Sequence, residues 1–146
     1  MSIADRTAET VWEGNLASGN GTITSGSGAL TLPVTWASRT EQPGGKTSPE
    51  ELAAAAHSSC YSMALSMRLG ENKLQATRVS VSSTVTLDAV DGVPTIVSSA
   101  LTVTAVVPGV DEATFQKVVD EASALCPVSR LFAGAKITVD ATLESE

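Results

Sequence analysis

Two cysteines, Cys60 and Cys126, sit in surroundings that can make a thiol reactive rather than merely buried, and paired thiols with a means of activation point to redox chemistry. Cys60 lies within Ser48-Pro49-Glu50-Glu51-Leu52-Ala53-Ala54-Ala55-Ala56-His57-Ser58-Ser59-Cys60, the opening of an Ala-, Leu- and Met-rich run that continues to Met67 and reads as one long helix. Small residues on either side of Cys60 would let another backbone approach closely, which suits a pocket and equally suits plain helix packing. Cys126 precedes Pro127, which cannot continue the helix before it but can open a short new one over 127–133. At the start of that helix, the dipole and free amides favour a thiolate.

Metal chemistry fits these residues poorly. Zinc usually takes four ligands, whereas the chain offers two Cys and one His with no local Cys-x-x-Cys pair, so no metal is expected. His57 stands three residues before Cys60, on roughly the same helix face. It can be read as a base or hydrogen-bond partner for the thiolate, or as a buried histidine satisfied by a backbone carbonyl, and no catalytic role is assigned to it.

The elements that position these residues follow from periodicity. Ser48 as N-cap, Pro49 at the first helical position and Glu51 as the far side of a capping box mark the start of the long helix. Before it, glycine-punctuated runs at 8–13, 21–24 and 29–32 predict a small antiparallel meander, and 33–47, with Trp36 and Arg39, reads as a connecting loop. After Gly70, alternating Val79, Val81, Val85 and Leu87, then Val97, Leu101 and Val103, are joined through Asp91-Gly92 as a long hairpin. An amphipathic helix opens at Asp111 with Phe115, Val118, Val119, Ala122 and Leu125 on one face, and Ile137, Val139, Ala141 and Leu143 give a last strand. This order predicts an α+β fold in one domain, 1–146, with antiparallel sheets packed on a long central helix. That helix is small or apolar on nearly all sides, including the stripe Leu52, Ala55, Ala56, Ser59 and Met63, so a second copy of the chain is expected to cover what the sheet does not.

Composition narrows the partners. At 146 residues with a formal charge of −7 and no cluster of Lys and Arg, the chain is a poor candidate for nucleic acid. No apolar run approaches the roughly 20 residues of a spanning helix, and Met1 to Arg6 lacks an apolar signal core, so no membrane association and a reducing cytoplasm are expected. In that compartment paired cysteines are more often catalytic, redox-sensing or plain buried hydrophobes than structural disulfides.

Taken together, Ser48-Pro49-Glu50-Glu51-Leu52, Ala55-Ala56-His57-Ser58-Ser59-Cys60, Cys126-Pro127-Val128-Ser129, Trp12-Glu13-Gly14 and Arg39 closely resemble the OsmC/Ohr hydroperoxide reductases, almost from end to end. His57, where the organic hydroperoxide resistance branch tends to carry an aromatic residue, favours the osmotically inducible OsmC branch. The resemblance implies a thiol peroxidase without metal or bound cofactor, built as an intertwined OsmC-like homodimer with two sites at the subunit interface. By motif match it makes Cys60 the peroxidatic cysteine, Cys126 the resolving one, Arg39 the activating cation and Glu50 the carboxylate that holds the arginine. It further implies an organic hydroperoxide as substrate, a Cys60–Cys126 disulfide in the cycle, and an external dithiol such as a lipoylated protein as reductant. Two rivals remain at this stage: a non-enzymatic redox sensor or thiol-binding module, and a structural dimer whose buried cysteines are inert.

Overall fold

The glycine-punctuated start of the chain forms three strands, β1 (Ala8–Glu13), β2 (Asn20–Ser25) and β3 (Thr31–Val34), paired antiparallel in the order β1-β2-β3. The computed structural model describes all of residues 1–146, which divide into two units, Met1–Leu52 and Ala53–Glu146. In the first unit Trp12 stands opposite Gly21 across the β1–β2 ladder. A Cβ on Gly21 would come within 2.9 Å of the Trp12 ring and 2.8 Å of Val34, so only glycine lets that indole lie over the strand.

Residues 33–47 are not the plain loop expected. Pro33 and Val34 complete β3, which begins two residues later than the predicted run, and Trp36–Thr40 form a short helix, α1. Thr35 caps α1 through a reciprocal box: its hydroxyl accepts from the Ser38 N–H at 3.0 Å and its own N–H donates to the Ser38 hydroxyl at 2.9 Å. The box is hard to read in sequence because serine takes the place usually held by Glu or Gln. The Ser38 hydroxyl also donates to the Thr47 carbonyl at 2.8 Å, and the Thr47 N–H donates to the Pro33 carbonyl at 2.9 Å, which closes the segment between α1 and the next helix.

The long helix, α2 (Pro49–Glu71), starts where its capping residues predict. The Glu51 N–H donates to the Ser48 hydroxyl at 3.1 Å. The Glu51 carboxylate does not return the bond and accepts from the Thr47 hydroxyl at 2.9 Å, so half the expected box forms.

In the second unit, β4 (Arg78–Val90) and β5 (Val93–Val106) make the long hairpin, with Asp91 and Gly92 at φ 52° and 77°, the left-handed pair that a two-residue turn requires. Two helices follow, α3 (Glu112–Leu125) and α4 (Pro127–Leu131), then β6 (Lys136–Glu144). The α+β class holds, but this sheet is mixed: β6 lies beside β5 in parallel, correcting the expectation of wholly antiparallel sheets. The intervening α3 and α4 form the crossover that a parallel neighbour needs, and strand alternation alone does not reveal direction. Tyr61, Leu65 and Leu69 of α2 meet Leu101, Val103 and Ala105 of β5 and Phe115, Val118 and Ala122 of α3 in the core of this unit. Leu65 is fully buried there, so Leu65→Ala is expected to lower stability by about 2.5–5 kcal/mol in urea unfolding.

Candidate active site

The four residues singled out by motif fall into two pairs, each within one unit. In the first, Arg39 on the last turn of α1 meets Glu50 on the first turn of α2. The arginine Nε donates to Oε1 at 3.0 Å and Oε2 at 3.2 Å, and Nη2 donates to Oε1 at 2.7 Å. Glu50 is nearly buried, whereas the Arg39 side chain keeps 30% of its surface open. The carboxylate fixes one edge of the guanidinium and leaves Nη1 free to meet an anion. The Arg39 guanidinium also lies 6.0 Å from the Trp36 ring centroid, within cation–π range. Arg39, Trp36, Trp12, Leu16, Ile23 and Val34 line an apolar cavity of about 230 Å³ in this unit.

In the second unit, Cys60 on α2 and Cys126 at the α3–α4 junction are both free thiols. Cys126 is fully buried and Cys60 partly so. Cys126 and the Val128 backbone amide are the neighbours that act on the Cys60 thiol. Burial pushes the Cys60 thiol above its usual range, the Val128 amide pulls it down, and the neighbouring Cys126 pushes it up again. None of these influences is cationic. The sequence pointed to the amides at the start of α4 as a benefit to Cys126. Instead, Cys126 makes no side-chain cap bond, and it is the Cys60 thiol that the Val128 amide favours in its charged form.

His57 is occupied elsewhere. Its Nδ1 lies 2.6 Å from the Ser99 hydroxyl and its Nε2 lies 2.8 Å from the Ser129 hydroxyl, and Ser99 is in turn 3.0 Å from the Ser83 hydroxyl. The imidazole is fully buried, with its ring edge to face with Phe132 at 5.3 Å and 90°. Both nitrogens are engaged, so the reading as a base or partner for the thiolate does not fit the geometry, and hydroxyls rather than a carbonyl satisfy the ring. Sequence reasoning missed Ser99 altogether. Ser129 was visible within Cys-Pro-Val-Ser, but nothing in its spacing showed that it faces a histidine 72 residues away.

Burial lowers the His57 pKa below its usual 6.5, so folding favours the neutral imidazole. Below about pH 6.5 the unfolded chain takes up a proton that the folded chain does not, and stability falls as pH drops, by at most about 1.4 kcal/mol per pH unit. Urea midpoints near pH 5 and pH 7.5 are expected to differ less in His57→Gln than in the parent, once the general destabilisation of the variant is taken into account.

With this geometry in hand, the relatives become informative. A family model described as OsmC-like protein matches residues 42–142. Peroxiredoxin OsmC of Escherichia coli is 42% identical over 135 residues, covering 92% of this chain and 93% of that protein. Among solved structures, the organic hydroperoxide resistance protein OsmC from Legionella pneumophila shares the fold with a TM-score of 0.73 at 22% identity, covering 99% of both chains. The organic hydroperoxide resistance protein OhrB of Bacillus subtilis matches with a TM-score of 0.68 at 25% identity, covering 94% of this chain and 98% of that one. The family model and the extended identity agree along the same stretch of sequence, the one that carries Glu50, Cys60 and Cys126: the chain belongs to the OsmC-like protein family.

Proposed function

We propose that this protein is a peroxiredoxin-type, thiol-dependent peroxidase that reduces organic hydroperoxides, and hydrogen peroxide more weakly, to alcohol or water. The observation that carries this reading is the pairing of two free thiols, Cys60 on α2 and the buried Cys126 at the α3–α4 junction, with Cys126 close enough to bear on the ionisation of Cys60. The Cys60 thiolate attacks the distal peroxide oxygen and the O–O bond breaks. The departing alkoxide takes a proton to become the alcohol, leaving a sulfenic acid on Cys60. The Cys126 thiolate then attacks the Cys60 sulfur, releasing hydroxide that leaves as water, and a Cys60–Cys126 disulfide forms. An external dithiol, such as a lipoylated protein, reopens it by two exchange steps and leaves as its own disulfide.

The reaction needs a cation that favours the Cys60 thiolate and steadies the alkoxide, and Arg39, anchored by Glu50, has the chemistry for both tasks. Glu50 and Cys60 are ten residues apart on the unbroken α2, a rise of about 15 Å. We therefore place Arg39 and Glu50 of one protomer against Cys60 and Cys126 of the other, in a homodimer with two composite sites. The exposed α2 surface bearing Ala55, Ser59, Met63 and Met67, with Met63 at 68% exposure, supports such an association, since a second copy would cover it. The apolar cavity beside Arg39 supports a preference for alkyl peroxides, whose tails gain from leaving water. No helix is long and apolar enough to cross a membrane, and we place the work of the protein in a reducing cytoplasm, where a dithiol can recycle it.

Steady-state assay with cumene hydroperoxide and excess dihydrolipoamide separates this reading from a redox sensor. Many turnovers per Cys60 are expected. A single oxidation per protein molecule, with no further peroxide consumed, would assign the thiols to sensing instead.

A further inference from the structure

We propose that His57 is a positioning residue that clamps the start of α4, which carries Val128 and follows Cys126, onto α2, which carries Cys60. This inference rests on the peroxidase reading of the same site and adds the device that keeps its thiols in register.

The argument begins with what a buried imidazole must do. Neutral histidine has one donor and one acceptor nitrogen, and both must be satisfied when no water reaches them. Here each finds a hydroxyl, and a hydroxyl can donate or accept, so Ser83, Ser99, His57 and Ser129 form a chain that closes in either tautomer. A hydrophobic residue would fill this space without needing partners, so the imidazole is informative only for what it joins. His57 lies one helical turn before Cys60 on α2, Ser99 is on the central strand β5, and Ser129 is on α4 immediately after Val128. The bond from Nε2 to Ser129 therefore spans the two helices that carry the thiols, one turn away from the thiols themselves. The bond from Nδ1 to Ser99 fixes the ring against the sheet.

Helix α4 needs such a restraint. It has only five residues, and Pro127 breaks the continuity of its backbone hydrogen bonding with α3. Val128 packs against the core of the unit, but the exposed Arg130 and Leu131 offer little packing to the rest of the helix. The Ser129 hydroxyl, nearly buried and bonded to His57, is the polar side-chain anchor that the helix sets into this unit. If it is released, Val128 and Cys126 are freed to shift relative to Cys60 together, because they belong to the one turn closed by the Arg130 N–H to Cys126 carbonyl bond.

The test uses full-length Ser129→Ala and Ser129→Thr, the latter retaining the hydroxyl. Cys60 is titrated by thiolate absorbance in a Cys126→Ser background, and disulfide closure is followed by stopped flow after one equivalent of cumene hydroperoxide. In Ser129→Ala the Cys60 pKa is expected to rise by about one unit, since the Val128 amide that favours the charged form is no longer held in place, and closure to slow about tenfold. Ser129→Thr is expected to stay within about twofold of the parent. Should Ser129→Ala fail to fold, Ser99→Ala loosens the same ring from the sheet side and is expected to shift both readouts in the same direction. A parent-like pKa and closure rate in the folded alanine variant would overturn the clamp, leaving His57 a packing residue. A parent inert to peroxide would sink the peroxidase reading instead, and the thiolate titration would still decide the clamp.

Discussion

Cys60→Ser is expected to lower peroxide turnover by about 10⁴-fold or more, the scale of loss when a nucleophile is removed from a site that otherwise still binds. A serine hydroxyl is hardly ionised at neutral pH and cannot be oxidised by accepting the peroxide oxygen, so neither a sulfenic acid nor a disulfide can follow. Thermal unfolding should remain close to that of the parent, because Cys60 is only partly buried and the replacement is of similar size. Cys126→Ser should behave differently. The first oxidation of Cys60 still proceeds, and the cycle stalls at the sulfenic acid unless an external thiol resolves it. A Cys60→Ser variant that keeps measurable turnover would move the chemistry to another residue.

The second large effect concerns the anchored arginine. Arg39→Ala and Glu50→Ala are each expected to reduce turnover by about 10²–10³-fold, the typical loss when a preorganised group stabilising developing negative charge is removed. For Glu50→Ala the loss arises indirectly, through a guanidinium no longer held at Nε and Nη2. The composite-site arrangement adds a sharper expectation. Equal amounts of Glu50→Ala and Cys60→Ser chains, unfolded and refolded together, should regain about a quarter of parental activity, since half the dimers are mixed and each mixed dimer carries one complete site. Activity in the mixture no higher than in Glu50→Ala alone would mean that each chain assembles its site from its own residues.

The chain made some of this legible and hid the rest for identifiable reasons. Helix α2 could be placed from Ser48, Pro49 and the apolar run because capping and composition act locally, and the hairpin followed from alternation around Asp91-Gly92. The α1 helix was missed since its five residues are held by a Thr-Ser box and by contacts to Thr47, neither of which has a strong signature. The parallel placement of β6 was invisible for another reason: the side-chain period of a strand is the same in either direction. Among site residues, the cysteines drew notice through chemistry and Cys-Pro punctuation. Arg39 and Glu50 stood out through resemblance, as an arginine in a connecting segment and a glutamate in a first helical turn are ordinary by themselves. The influence of the Val128 amide on Cys60 could not be read from sequence, because a backbone amide has no residue type to announce it, and the hydroxyl partners of His57 come from β5 and α4.

The measurement that tests the central claim most directly is intact mass and free-thiol content of the reduced protein after one equivalent of cumene hydroperoxide, with Cys60→Ser and Cys126→Ser treated in parallel. Rapid loss of both thiols with the mass of an intramolecular disulfide in the parent, one added oxygen on Cys60 in Cys126→Ser, and no reaction in Cys60→Ser are predicted. Survival of both thiols in the folded parent would contradict the account and return Cys60 and Cys126 to the role of core residues.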